Sequence, residues 1–164
     1  MTIELRPFTE AEYHRFFRGY EADPMVEPLP YVYHEESVSR SYHYNYHVRQ
    51  NYLHLGILDD EHIPLGCFQL KRIDRDNGRC EFGIILQKPT LQDRGIGTLA
   101  IRQGMEIAKN RYEIKTMLGD TSSENGRMIH LFEKLGFRLT ERVPGAYRLV
   151  NGQPGDRLVY KINL

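Results

Sequence analysis

Leu91-Gln92-Asp93-Arg94-Gly95-Ile96-Gly97-Thr98 is the stretch whose reading decides the fold. Its two glycines stand where a polar, irregular segment gives way to a helical pattern. Ile96, Leu99, Ala100, Ile107 and Ala108 recur at one-face spacing from Gly95 to about Lys109. A glycine has no Cβ, so main-chain N–H groups at such a corner can approach an anion closely, and a helix start adds the positive end of its dipole. A pyrophosphate suits this corner. Arg94 offers a guanidinium from the side, a group that pairs well with phosphate oxygens.

A glycine-opened helix with no ligand is the plainest account of the segment. Gly95-x-Gly97-x-x-Ala100 also satisfies the dinucleotide fingerprint G-x-G-x-x-A, with Asp120 downstream. That fingerprint needs a strand running straight into the first glycine, whereas Gln87 to Arg94 is polar and contains Pro89. Too little chain follows for a doubly wound sheet. A Walker A loop is excluded, because its Gly-Lys-Ser/Thr is missing.

Upstream of this corner, Ile3 to Arg6 reads as a first strand. Thr9 with Glu12 forms a capping box that opens a helix through Tyr13, Phe16 and Phe17. Pro24, Pro28 and Pro30 break the chain before a second helix, expected from about Glu35 to Gln50. Strands follow at Tyr52 to Leu58, Leu65 to Ile73 and Cys80 to Leu86, and the short turns between them favour antiparallel hairpins. Downstream, Ile114 to Leu118 reads as a strand. Thr121 with Glu124 is a second capping box, and Met128, Leu131, Phe132 and Leu135 line one helix face. Gly136 suits the left-handed stop after that helix, with Phe137 folding back as its apolar clasp. Phe137 to Glu141 and Arg157 to Ile162 complete the strands. The order is β-α-α-β-β-β-α-β-α-β-β.

The chain of 164 residues is the size of one domain, 1–164, and carries no repeat or long linker. Lysine plus arginine equals aspartate plus glutamate, at 22 each, which argues against a dedicated nucleic-acid or membrane-surface partner. No apolar run approaches the ~20 residues of a membrane helix, and the N-terminus lacks the apolar stretch of a signal peptide. The two cysteines, Cys67 and Cys80, lack metal spacing. On consecutive strands turning near Asp76, Cys80 falls opposite Lys71 or Arg72, so no bridge to Cys67 is expected. The expected location is cytoplasmic.

Gln92-x-x-Gly95-x-Gly97 matches Gln/Arg-x-x-Gly-x-Gly/Ala, the pyrophosphate loop of the GNAT superfamily of N-acetyltransferases. The strand Glu81-Phe82-Gly83-Ile84-Ile85-Leu86 stands ahead of it at that family's spacing. Asn125 to Phe137, ending Glu133-Lys134-Leu135-Gly136-Phe137, resembles the family's second signature. The resemblance covers nearly the whole chain, is strongest from Cys80 to Phe137, and looks closest to the ribosomal-protein and polyamine acetyltransferase branch. It implies the α/β (α+β) GNAT fold, a mixed, mostly antiparallel central sheet of about seven strands flanked by about four helices.

The resemblance further implies acetyl-CoA as cosubstrate and no metal. A V-shaped opening would lie between the Cys80–Leu86 and Ile114–Leu118 strands, with the pantetheine arm paired to the main chain of Ile84, Ile85 and Leu86. Gln92 opens the loop whose amides from Asp93, Arg94, Gly95, Ile96, Gly97 and Thr98 would take the pyrophosphate, and Asn125 would support the pantetheine. Attack by an amine on a thioester needs a neutral amine, hence a base. Glu81 stands where several family members carry a catalytic glutamate, and a carboxylate beside an apolar strand can have a raised pKa. The alternative is an ordinary strand residue paired with a neighbour such as Arg79. N–H groups near Ile85 would polarise the acetyl carbonyl.

One position departs from the family. Phe132 stands on the cofactor side where many relatives carry the tyrosine that protonates the leaving thiolate, and it has no proton to give. Tyr147 and Tyr160 are open alternatives. Neither cysteine has an obvious base beside it, so direct attack in a ternary complex is expected in place of an acyl-enzyme. A GNAT-shaped module that binds CoA without turnover is the other reading that Phe132 leaves open.

For the acceptor, Tyr31, Tyr33, Tyr42, Tyr44, Tyr46 and Tyr52 crowd one region with His34, His43, His47 and His54. They form either an aromatic wall for an amine or rings packed on the sheet, and packing is the commoner fate of such tyrosines. His43 and His47 share helical spacing but lack a third metal ligand. Glu21, Asp23, Glu27, Glu35 and Glu36 give the inter-helix region an acidic bias that would draw a cationic amine such as a polyamine. The acceptor is an amine, and a homodimer is compatible with the family likeness.

Overall fold

The computed structural model describes residues 1–164. Its elements are β1 (Glu4–Arg6), α1 (Glu10–Arg18), α2 (Glu35–His43), β2 (Leu53–Leu58), β3 (Pro64–Asp74), β4 (Arg79–Leu86), α3 (Ile96–Tyr112), β5 (Thr116–Ser122), α4 (Gly126–Lys134), β6 (Arg138–Arg148) and β7 (Pro154–Asn163). The seven strands form one sheet in the order β1-β2-β3-β4-β5-β7-β6, antiparallel throughout except at β4–β5. This is the expected α/β architecture and the expected order of elements.

Local signals act where the sequence puts them. Thr9 and Glu12 close a reciprocal capping box at α1. Gly136 adopts φ +89° after α4, and the Phe137 N–H reaches back to the Phe132 carbonyl at 2.9 Å. The second helix ends at His43, earlier than expected, and continues as one wide π turn over Tyr44–Val48.

Differences cluster downstream of α3. Lys115 and Thr116 both bond the Gly78 carbonyl, so the strand begins at Thr116 and runs on through Ser122. Thr121 is thereby buried inside β5, and the box it was expected to make with Glu124 does not form. Asn125 caps α4 instead, its Oδ1 accepting from the Met128 N–H at 3.1 Å. The last two strands are longer than their apolar cores, because pairing between β6 and β7 runs to Arg148 and Pro154.

The side-chain alternation of the strands divides the core in two. Leu55, Phe68, Phe82, Met117 and Phe132 belong to the larger cluster under α3 and α4. Phe8, Tyr13, Phe16, Val38 and Cys67 form a smaller one under α1 and α2. Cys67 and Cys80 fall in different clusters and are free.

Candidate active site

The cleft begins where β4 and β5 part. Their parallel pairing covers only Arg79–Thr116, Cys80–Met117 and Glu81–Leu118. Beyond Glu81, β4 keeps β3 on one side and has no strand on the other. Gly119 of β5 lets two rings close the base of this gap. A Cβ there would lie 2.5 Å from Phe82 and 2.7 Å from Phe132.

The direction of the main chain along the parted edge follows from one hydrogen bond. The Gln87 N–H donates to Leu65 of the β3 side at 2.8 Å. Main-chain groups alternate sides along a strand, so Ile85 also turns its N–H and C=O toward β3. Ile84 and Leu86 face the cleft. The main-chain donors available there are therefore those of Ile84 and Leu86, flanking the Ile85 position expected from sequence. Ile85 contributes its side chain instead, 41% exposed on the face carrying Glu81 and Gly83.

At the far end of this edge, a 3-10 turn at Pro89–Leu91 leads into the glycine corner. Asp93 has φ +60° and Gly95 has φ +82°, left-handed conformations that fold the segment back on itself just before α3. The first hydrogen bond of the helix is Leu99 N–H to Gly95 C=O at 3.1 Å. The N–H groups of Asp93, Arg94, Gly95, Ile96, Gly97 and Thr98 therefore donate to nothing in the protein. Unsatisfied amides at a helix start, in a backbone that alternates hand, form a cradle for an anion. No atom lies within 4 Å of a Cβ placed on Gly95, and one on Gly97 would meet only the tip of Leu131 at 3.3 Å. The space needed by a diphosphate is present, and the residues fit that group.

A cavity of about 330 Å³ joins the cradle to the parted edge. It is lined by Ile84, Ile85 and Leu86, by Gln92 and Gly97, and by Asn125. Tyr20, Glu21, Asp23, Val26 and Glu27 also line it, so the acidic segment expected to draw an amine stands beside the cradle. Asp23 accepts from Gln92 Nε2 at 2.9 Å and stands 3.8 Å from Arg127, which also reaches Asp93 at 3.4 Å. Arg127 is thus a cation at the cradle that sequence reading missed; nothing in its spacing marks it. A second cavity of about 290 Å³ shares Asp23, Asn125 and Arg127 and opens toward Tyr147 and Leu149. A larger depression of about 980 Å³, between Arg49, Tyr52, Arg75 and Tyr112, shares no residue with either.

Glu81 lies on the open face at the last paired position, half-buried with 26% of its side chain exposed. Its partner is Arg72, at 3.5 Å, and not Arg79. A bulge near the end of β3 gives Arg72 a φ of +49° and re-aims its side chain. Nearby on the same face, Asp120 accepts from Arg157 at 2.6 Å. Tyr147 lies beside that pair, its hydroxyl pKa raised by burial and, to a lesser degree, by Asp120.

Phe132 is fully buried, with Tyr160 stacked on it at 4.4 Å and Phe82 and Phe137 against its edges. It is a wall of the core beneath the cleft. Tyr160 is buried behind it, and Tyr147 sits on the opposite face of the sheet. Burial pushes the Cys80 thiol up to about 12 and the Cys67 thiol higher still, so neither is a nucleophile near neutral pH.

Most of the tyrosine and histidine cluster is packing. Tyr46 accepts from the Phe8 N–H and bonds His54, Tyr13 bonds Ser41, and His14 sits between Tyr33 and Ser39. His43 and His47 have ring centroids 5.4 Å apart, and no third ligand gathers with them. No helix is long and apolar enough to cross a membrane.

Fold and cradle together define an α/β protein of the acyl-transfer class. The model of the acetyltransferase (GNAT) domain matches residues 2–138, and the chain belongs to that family. It is an acyltransferase. No curated protein matches the chain. Among solved structures, a spermidine N-acetyltransferase SpeG chimera from Vibrio cholerae and hSSAT superposes with a TM-score of 0.86 at 18% identity, covering 99% of this chain and 96% of that one. Mutant forms of the spermidine/spermine N-acetyltransferase SpeG from Vibrio cholerae give 0.78 at 20% identity, covering 99% and 95%. A dodecameric spermidine N-acetyltransferase from the same organism gives 0.77 at 20%, covering 98% and 93%.

Proposed function

We propose that this protein transfers the acetyl group of acetyl-CoA to a primary amine by direct attack in a ternary complex. The observation that carries the reading is the run of undonated amides from Asp93 to Thr98, opening into a cavity that ends on the parted edge of β4. The cradle suits the diphosphate, with Arg94 and Arg127 as nearby cations. The edge of β4 suits the amide-bearing pantetheine arm, which would add to it as a strand does. Asn125 lends its free Nδ2 to the same slot, since its Oδ1 caps α4.

The thioester would end near Ile84 and Leu86, where cleft-facing N–H groups polarise its carbonyl as negative charge develops. Glu81, at the mouth of the gap, is the base in this reading and acts on the amine through water. The high thiol pKa values of Cys67 and Cys80 favour direct attack over an acyl-enzyme. With Phe132 lacking a hydroxyl, the departing thiolate would take its proton from water. Acetyl-CoA supply would place the reaction in the cytoplasm. The acetylated amine of the structural neighbours is spermidine, so polyamines head the small-molecule acceptors to test, beside protein N-termini. Self-association, as in the dodecameric neighbour, is part of this proposal.

A panel of amines with acetyl-CoA, followed by release of free CoA thiol, tests the reading. Acceptor-dependent release supports it. The buried Phe132 favours one other account, a module that binds CoA without turnover. Tight acetyl-CoA binding with no thiol release from any amine, peptides included, would establish that account instead.

A further inference from the structure

On the acceptor side of β4, Gly83 stands between Glu81 and Ile85, one step from the parted edge, and its missing side chain makes room for neighbouring groups of β3. Glycine inside a strand often marks a place where another group comes close. Two side chains of β3 end beside it. Gln69 Oε1 lies 3.2 Å and Lys71 Nζ 3.5 Å from the point a Cβ would occupy.

Lys71 makes no ion pair and no hydrogen bond. It is paired across the strands with Glu81, yet that carboxylate turns to Arg72. The nearby carboxylate Asp120 is held by Arg157. The half-buried Lys71 is therefore the free cation beside Gly83. In the connection between α1 and α2, Glu21 is paired with Lys88, and Asp23 with Gln92 and Arg127. Glu27 lines the cavity there and has no partner. Glu27 in the cavity lining and Lys71 beside Gly83 are thus an anion and a cation without partners. A polycation would meet an uncompensated ammonium at Gly83.

Resting on the acetyl-transfer reading, we propose that Lys71 is a specificity-determining residue that anchors an anionic group of the acceptor, so that the preferred substrate is an amine also bearing a carboxylate or phosphate. Glu27 draws the ammonium end toward the cleft. The acidic end lies against Lys71, beside Gly83, and accepts its hydrogen bond.

Matched acceptors test this: amino acids against their amides, phosphoethanolamine against ethanolamine, and spermidine. Thiol release is measured for wild type, Lys71→Met and Lys71→Arg. The acid-bearing member of each pair is expected to exceed its neutral partner, and spermidine, by roughly tenfold or more in kcat/KM. Lys71→Met should bring that ratio near one, and Lys71→Arg should restore it. A ratio near one in wild type, a preference for spermidine, or a preference that survives Lys71→Met overturns the inference while leaving acetyl transfer intact. If no amine releases thiol, the acetyl-transfer reading fails separately. Calorimetric binding of phosphoethanolamine to the CoA-loaded protein then decides the role of Lys71: a loss in Lys71→Met supports it, and equal binding overturns it.

Discussion

Gly97→Val separates the proposed cradle from the fold that carries it. Gly97 lies in the first turn of α3 and lines the cavity. In helices glycine is about 1 kcal/mol worse than alanine and valine about 0.6 worse, so the exchange gains ~0.4 kcal/mol from propensity. The nearest atom to the new Cβ is the flexible tip of Leu131 at 3.3 Å, and crowding it cancels much of that gain. The melting temperature should therefore move by no more than about 2 °C. Binding should suffer far more. The branched side chain enters the space over the free amides, and losing two hydrogen bonds to a charged group costs roughly 3–6 kcal/mol, or about 10²–10⁴ in affinity. Titration calorimetry with CoA on wild type, Gly97→Ala and Gly97→Val should show weakening graded with side-chain size. A folded Gly97→Val protein that binds CoA within threefold of wild type would refute the cradle.

Three further outcomes are expected. Gly119→Ala pushes a methyl against Phe82 and Phe132, at 2.5 and 2.7 Å, and should destabilise by about 1–3 kcal/mol, read as a lower midpoint in urea. Glu81→Gln should lower kcat by ~10² or more with little change in the KM for acetyl-CoA; an unchanged kcat would make Glu81 only a strand partner of Arg72. Burial holds the His54 pKa near about 4, below its ordinary 6.5, so the unfolded chain takes up the proton first and stability falls as pH drops from 6.5 toward 4. Between pH 6.5 and 5 that loss is about 1.5 kcal/mol, and denaturation of His54→Gln at the two pH values should show a smaller difference.

The parts of the site that sequence made legible are those built from neighbours along the chain. Gly95 and Gly97 mark the cradle because both the left-handed corner and the helix start lie within a few residues of them. The Glu81 partner was not legible, because Arg72 is re-aimed by a bulge whose effect appears only when β3 and β4 pair. Arg127 was missed for the same kind of reason, and Asp23 was read as part of an acidic acceptor region and not as a neighbour of Gln92. Asp23 reaches the cradle from the connection between α1 and α2 and Arg127 from the first turn of α4, both far from Gln92 in the chain.

The sequence by itself determined the order of elements, the capped start of α1, the glycine stop of α4 and the anion corner before α3, since each depends on local backbone preference or hydrophobic period. Only the tertiary structure decided that Ile84 and Leu86, and not Ile85, present their main chain to the cleft. It likewise decided that Thr121 lies inside β5 and that Lys71 is left without a partner. Each of these follows from register and pairing between strands, and register is set by the packing of the whole sheet.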